Sequence, residues 1–219
     1  MPNPYYSVAD LPETLPVFPL TGVPLFPRWQ LPLNIFEPRY LNMIDDAMLG
    51  KRLIGMVQSF GGSREIPTLA KVGCVGRITN YSETDDGRYM ITLTGIARYR
   101  IDEELDVKTP YRQVRANYAD YASDLKDPDL ENVPPRLRLE AALQVYIDKN
   151  GFDADWGAVQ DAQIETLVHA LATGCPFRPI EKQALIEAED LKARSETLIK
   201  LFSMSVNDLD TDPDTGPLQ

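Results

Sequence analysis

Histidine and cysteine are all but missing from this chain of 219 residues: it has one of the first and two of the second. A lone histidine, His169, set beside an apolar helical stripe, gives no nucleophile a ready base, and it reads as a residue of the surface or of a bundle rim. Cys74 and Cys175 lack metal-ligand spacing, so they predict two reduced, packed thiols rather than a disulfide or a zinc site. No apolar run approaches the roughly 20 residues that a membrane-spanning helix needs. Met1 to Tyr5 carries neither a basic nor an apolar leader segment, so a cytoplasmic location is expected. Basic residues are the minority, 22 against 33 acidic ones, and the formal charge of -11 repels phosphate backbones and anionic membranes at long range. A phosphate-binding loop is also wanting: Gly50-Lys51 is followed by Arg52, and Asp45 stands where its first glycine belongs. These shortages point away from catalysis, metals and cofactors.

Proline, by contrast, is plentiful, and it divides the chain. From Leu15 to about residue 123 the texture is β-rich, with strands expected at Val17-Phe18, Leu31–Ile35, Leu53–Val57, Val72–Tyr81 and Tyr89–Ile101. Pro16, Pro19, Pro24, Pro27 and Pro32 confine the first strands to edges, ends or bulges. Pro38 suits the first position of a short helix whose apolar stripe is Leu41, Ile44 and Met48, with Phe36 placed to staple onto Leu41. In the strand from Tyr89, the odd positions are mostly apolar, while Thr92, Thr94, Arg98 and Arg100 fall on a wet face. The turn at Asp85-Asp86-Gly87, with Gly87 left-handed, sets Tyr81 opposite Ile91 and Thr79 opposite Leu93.

Residues 1–14 read as an N-terminal extension and 124–135, rich in proline and acid, as a linker. Residues 136–205 then read as a helical bundle of three segments. The last of these is one long helix from Pro179 marked by Ala184, Ala188, Leu191, Ser195, Leu198 and Phe202. The acidic tail 206–219 is expected to be disordered.

The run Leu15-Pro-Val-Phe-Pro-Leu-Thr-Gly-Val-Pro-Leu-Phe-Pro27 and the junction Leu31-Pro-Leu-Asn-Ile-Phe-Glu-Pro-Arg-Tyr40 together resemble the N-terminal domain of the Lon protease family. Ile54-Gly-Met-Val57, the strand Val72–Ile78 and Gly95-Ile-Ala-Arg98 follow in the family's order. The resemblance is strong from Leu15 to Tyr121 and looser beyond Pro135. It implies an α+β fold: a PUA-like irregular β-barrel with one inserted short helix, followed by a C-terminal helical bundle. It also implies a role in selecting polypeptides. The ATPase and Ser-Lys protease modules of Lon proteases are not matched by any segment, so neither activity is expected here.

Candidate site residues follow from that resemblance and from the residues themselves. Phe36, Glu37, Arg39 and Tyr40 are candidates for binding an extended polypeptide, with arginine donating to carbonyls and tyrosine supplying contact area. A second reading makes the same element architectural: Glu37 offsets the positive helix end and Arg39 pins the loop. Arg88, Arg98, Arg100, Arg112 and Arg115, interleaved with tyrosines, form an alternative RNA-binding face interrupted by Asp102, Glu103, Glu104 and Asp106. Asp45-Asp46, Asp85-Asp86 and Glu103-Glu104 read as solvated faces and turn chemistry. The alternating aspartates Asp208 to Asp214 lack the glycine and closing glutamate of a calcium loop. The expectation is therefore a non-enzymatic module for unfolded or extended polypeptide segments, an adaptor or holdase in protein quality control with a protease as a candidate partner. Nucleic acid is the alternative partner, and no membrane is expected.

Overall fold

The computed structural model describes residues 5–62 and 67–210. Six strands form one sheet: β1 (Thr14–Pro19), β2 (Gln30–Ile35), β3 (Leu53–Gly62), β4 (Pro67–Glu83), β5 (Tyr89–Leu105) and β6 (Gln113–Asn117). β1 runs parallel to β3 and antiparallel to β6, and β4 lies antiparallel between β3 and β5. β6 also pairs with the second half of β5, which closes the barrel, while β2 lies alongside the first half of β5. All five expected strands lie within these elements. β6, the strand that closes the ring, has no counterpart in the sequence reading, because Gln113–Asn117 is short and flanked by charge.

The interior turns on one large ring. Tyr99 is fully buried and crosses the barrel toward Gly55 and Gly73, where an added Cβ would come within 2.5 and 2.7 Å of its hydroxyl. Those glycines are needed because the ring occupies the space of their side chains. Leu15, Val17, Val57, Val75, Ala97 and Val114 complete this core, and Tyr5 and Leu11 join it. The residues read as an N-terminal extension are thus partly core.

The hairpin between β4 and β5 pairs Tyr81 with Ile91, and Gly87 has φ +76°, both as expected. A register shift at Thr79 then sets Ile78, not Thr79, opposite Leu93. A second shift at Ile96 is followed by a stretch in which Ile96, Ala97, Arg98 and Tyr99 are all buried. Arg98, expected on the wet face, is only 1% exposed. Alternation assigns it the outer face correctly, but that face is covered here by the 3-10 segment Ala119–Leu125 and by a helix.

α1 (Pro38–Leu49) buries Ile44 of the expected stripe, but with Tyr40, Met43 and Ala47 in place of Leu41 and Met48. Phe36 is 63% exposed, so the expected staple does not bury it. The remaining helices are α2 (Arg136–Asn150), α3 (Trp156–Asp161), α4 (Ile164–Gly174), α5 (Pro179–Glu187) and α6 (Leu191–Asp210). Two compact units result: residues 1–127 with 176–187, and residues 128–175 with 188–219. The expected long third helix is therefore two helices in different units. Asp190 breaks it by accepting the Ala193 amide at 2.7 Å as an N-cap for α6. α5 instead packs on the barrel unit: Gln183 joins Gln58 (2.9 Å) and the Val72 carbonyl (3.1 Å), and the Lys182 ammonium donates to the Gly22 carbonyl at 3.0 Å.

In the second unit, α2 buries Leu139, Leu143, Tyr146 and Ile147, and Tyr146 lies 4.8 Å from the Phe202 ring of α6. His169 is buried rather than at a rim, with Nε2 3.1 Å from Arg194 Nη1. The expected disordered tail begins as helix, since α6 runs through Asp210, and its remaining residues lie outside those described. No helix among the described residues is long and apolar enough to cross a membrane.

Asp124 was assigned to a linker but is buried, and its carboxylate takes the Arg98 Nε and Nη2 hydrogens at 2.8 Å each and the Arg98 amide at 2.9 Å. Removing one partner of such a pair strands a buried charge, so Asp124→Ala should cost about 3–5 kcal/mol, read from the urea midpoint. The double variant with Arg98→Met should recover part of that loss, because the stranded charge is then gone.

Candidate functional site

The junction between β2 and α1 is stiffened by its own charges. Arg39 Nε and Nη2 donate to Glu37 Oε2 at 3.0 and 2.8 Å, and the guanidinium carbon lies 4.7 Å from the centre of the Tyr40 ring. Tyr40 is buried edge-on against Phe18, with ring centres 4.4 Å apart, and burial raises its pKa. Glu37 precedes Pro38 at the helix start without a side-chain capping bond. Three of the four sequence candidates thus form one tight cluster, and Phe36 projects into solvent beside it.

Arg39 and Tyr40 also form one wall of a depression of about 220 Å³ whose other walls are Pro19, Pro110, Tyr111, Glu104 and Arg112. Glu104 and Arg112 also line a second, neighbouring depression of about 370 Å³ that runs along Pro67–Lys71 of β4 to Ile101 of β5. Arg112 stands where the two meet. Its Nε and Nη2 donate to the two Glu104 carboxylate oxygens at 2.5 and 2.6 Å, and Nη1 donates to the Pro67 carbonyl at 2.6 Å. A fork held on both sides is a rigid feature, suited to reading carbonyl or carboxylate oxygens at a fixed place.

Tyr111 brings α1 to the same place. Its hydroxyl donates to Asp46 Oδ2 at 2.6 Å, while Tyr89 donates to Asp45 Oδ1 at 3.0 Å. The two adjacent aspartates, expected merely to be solvated, point apart and each fastens α1 to a tyrosine. Asp86 behaves as a turn residue: hydrogen bonds from Arg88 and Thr84 lower its pKa to about 2.

The five arginines of the alternative RNA face are not gathered into an unneutralised patch. Arg88 pairs with Asp86 (2.8 Å), Arg100 with Asp120, Arg112 with Glu104 and Arg115 with Glu103 (3.3 Å), while Arg98 is buried against Asp124. Each positive charge already faces a carboxylate, and Arg98 is out of reach of any phosphate. The glutamates that interrupt the run in sequence are the partners of the arginines in space. Tyr111 and Glu104, beside the Arg39-Tyr40 junction, and Leu69, Lys71 and Ile101, in the neighbouring depression, go unmarked in the sequence. The fold joins them across 30 to 70 positions, and no local pattern marks that.

Comparison with known proteins follows the same lines. The model of the ATP-dependent protease La (LON) substrate-binding domain matches residues 14–203. The chain is similar to a Lon protease of Desulfosudis oleivorans, 33% identical over a match 207 residues long that covers 84% of this chain and 23% of that protein. It is likewise similar to Lon protease 2 of Myxococcus xanthus, 26% identical over 203 residues, 89% of this chain and 24% of that protein. It spans about a quarter of the length of these curated relatives. Among solved structures it resembles a Lon N-terminal domain protein from Xanthomonas campestris, with TM-score 0.61, 20% identity and coverage of 85% of this chain and 97% of that one. It also resembles the N-terminal domain of a Mycobacterium avium complex Lon protease, with TM-score 0.63, 14% identity and coverage of 87% and 98%. Those two likenesses concern the fold, an α+β architecture of irregular barrel and helices.

Burial first, and then the Asp46 hydrogen bond and charge, push the Tyr111 pKa from 10.0 up to about 12. A folded pKa above the unfolded one contributes stability that is complete below the unfolded value and is lost as pH rises toward the folded one. Stability should therefore fall between about pH 10 and pH 12. Tyr111→Phe should be less stable near neutrality and show a shallower decline across that interval, measured by urea unfolding at a series of pH values.

Proposed function

Because the chain belongs to the ATP-dependent protease La (LON) substrate-binding domain family, we propose that it is a polypeptide-recognition module that holds extended or unfolded segments without chemistry of its own, as an adaptor or holdase in proteolytic quality control. The observation that carries this reading is the paired depression around Arg112. It combines exposed apolar surface, a rigid guanidinium fork and the Arg39-Tyr40 junction in one place. Peptide recognition uses this mixture: aromatic and aliphatic walls for affinity, and a few fixed donors for carbonyl oxygens. Arg39, Tyr40 and the exposed Phe36 are its candidate contacts, and Glu37 serves by orienting Arg39.

RNA binding is the weaker reading. Neutralised phosphates supply most of the affinity for nucleic acid, and the five arginines of that face are each engaged by a carboxylate. The charge of -11 opposes the same encounter.

Reduced, carboxymethylated α-lactalbumin, which cannot refold, should bind the purified chain at micromolar concentration, while the native form of the same protein should not. Binding should hold or strengthen as salt is raised, since apolar burial is not screened. The absence of any binding at such concentrations by a chain whose barrel is still folded would overturn the reading. A single-stranded RNA that binds more tightly than the unfolded protein and is released steeply by salt would replace it with the alternative.

A further inference from the structure

The pairing that closes the barrel is incomplete along part of the β4–β5 seam. Among the described residues, the ladder between β4 and β5 ends at Val72 and Arg100. Pro67, Thr68 and Leu69 of β4 pair only with β3, and Glu103, Glu104 and Leu105 of β5 pair only with β6. Arg100 has Val72 on one side and Asn117 on the other, so β6 occupies the far side of β5 and does not fill the gap. The two strands are turned apart by irregularities at the same level. The β3–β4 register jumps from Val57↔Gly73 to Ser59↔Leu69, and the β5–β6 register shifts between Ile101 and Glu103. Bulges bend a strand and end its pairing. The result is a β4 edge, Pro67–Lys71, that faces an open cleft of about 370 Å³.

Unpaired strand edges normally invite another strand, and folded proteins block them. The edge of β2, which ends the sheet order, is blocked in such a way: Pro32 sits in the middle of the strand, opposite Thr92. A proline tolerated in a paired strand withholds its amide from the outer edge. The edge beside the β4 cleft has a proline only at its outer end, Pro67, and Thr68, Leu69, Ala70 and Lys71 all keep their amides. Among the described residues, the Arg112 side chain crosses its outer end, where Nη1 reaches the Pro67 carbonyl.

We propose that this edge is the binding site itself, and that an extended polypeptide with alternating apolar side chains adds to Thr68–Lys71 as an extra strand. This rests on the polypeptide-recognition reading above and names its mode. Main-chain hydrogen bonds supply affinity that does not depend on the client's sequence. Leu69 and Ile101 receive alternate side chains, and Arg112 exchanges the Pro67 carbonyl for one of the incoming strand. Segments rich in proline, or held in helices, are refused because they cannot present a regular row of amides.

The test uses a capped peptide of alternating valine and serine of about seven residues, long enough to span the edge at roughly 3.4 Å per residue, and two versions of it N-methylated at every second residue, one in each alternating frame. With the full chain, the plain peptide should slow amide exchange at Thr68 to Lys71, and N-methylation in the pairing frame should weaken binding by about tenfold or more, the loss of two or three modest hydrogen bonds. Lys71→Pro should weaken the plain peptide to a similar degree, with the barrel's fold checked by circular dichroism. Because that variant acts on the protein, the methylated peptide decides the matter should the variant fail to fold. Equal binding of plain and both frames of methylated peptide, or protection confined to the Arg39-Tyr40 depression, would overturn strand addition. Carboxymethylated α-lactalbumin binding that persists beside such a result would leave the recognition reading standing, and its loss would remove both.

Discussion

Two pieces of chain far from it in sequence converge on the guanidinium of Arg98, in the middle of β5. Its Nε and Nη2 are held by the Asp124 carboxylate, Nη1 donates to the Ile186 carbonyl at 3.2 Å, and its carbon lies 4.6 Å from the centre of the Tyr121 ring. Burial works most strongly against this charge, yet the hydrogen bonds and charge of Asp124 outweigh it, and the arginine's pKa is raised. A buried ion of this kind is tolerable only when every donor is matched, so it specifies one arrangement of its surroundings more than it adds net stability. The barrel wall, the segment Ala119–Leu125 and α5 meet in the one way that satisfies it. Arg28 extends the constraint, with Nη1 donating to the Asp124 carbonyl at 2.6 Å.

That convergence bears on the open seam. α5 covers the outer face of β4 as far as Val72, whose carbonyl it engages through Gln183. The β4–β5 ladder stops at the same residue, and beyond it the strands diverge. One part of the barrel is thus doubly secured, by strand pairing and by the helix across its face. In the next part, Pro67–Lys71, β4 has no β5 partner and lines the cleft. Rigidity beside an unpaired edge suits a site that must present hydrogen-bonding groups in fixed positions, since little ordering cost remains to be met on binding.

The junction Phe36-Glu37-Pro38-Arg39-Tyr40 illustrates how far residue patterns reach. Proline at the first helical turn and the helix that follows are local and in place as expected, and the Glu37-Arg39 pair, equally local, lies beside them. Which helix face is buried was misjudged, because Tyr40 and Met43 shift the stripe round toward Phe18 and the barrel, contacts that no spacing within the helix reveals. The long helix expected from Pro179 failed for a related reason. The apolar spacing runs without interruption through Ala188, and the Asp190 cap that divides it is an inconspicuous signal beside that periodicity.

Strand positions, the left-handed Gly87, the proline-marked edge strand β2 and the family itself were legible along the chain, because each depends on neighbours within a few residues or on a run of motifs in order. The burial of Arg98, the closing strand β6, the allegiance of α5 to the barrel and the cleft around Arg112 belong to the tertiary structure alone. Alternation states which face a side chain takes, but whether that face meets water or another element depends on pieces of chain 26 and 88 positions away. The arginines show this most plainly: in order along the chain they suggest a basic surface, and in space each has met its acid.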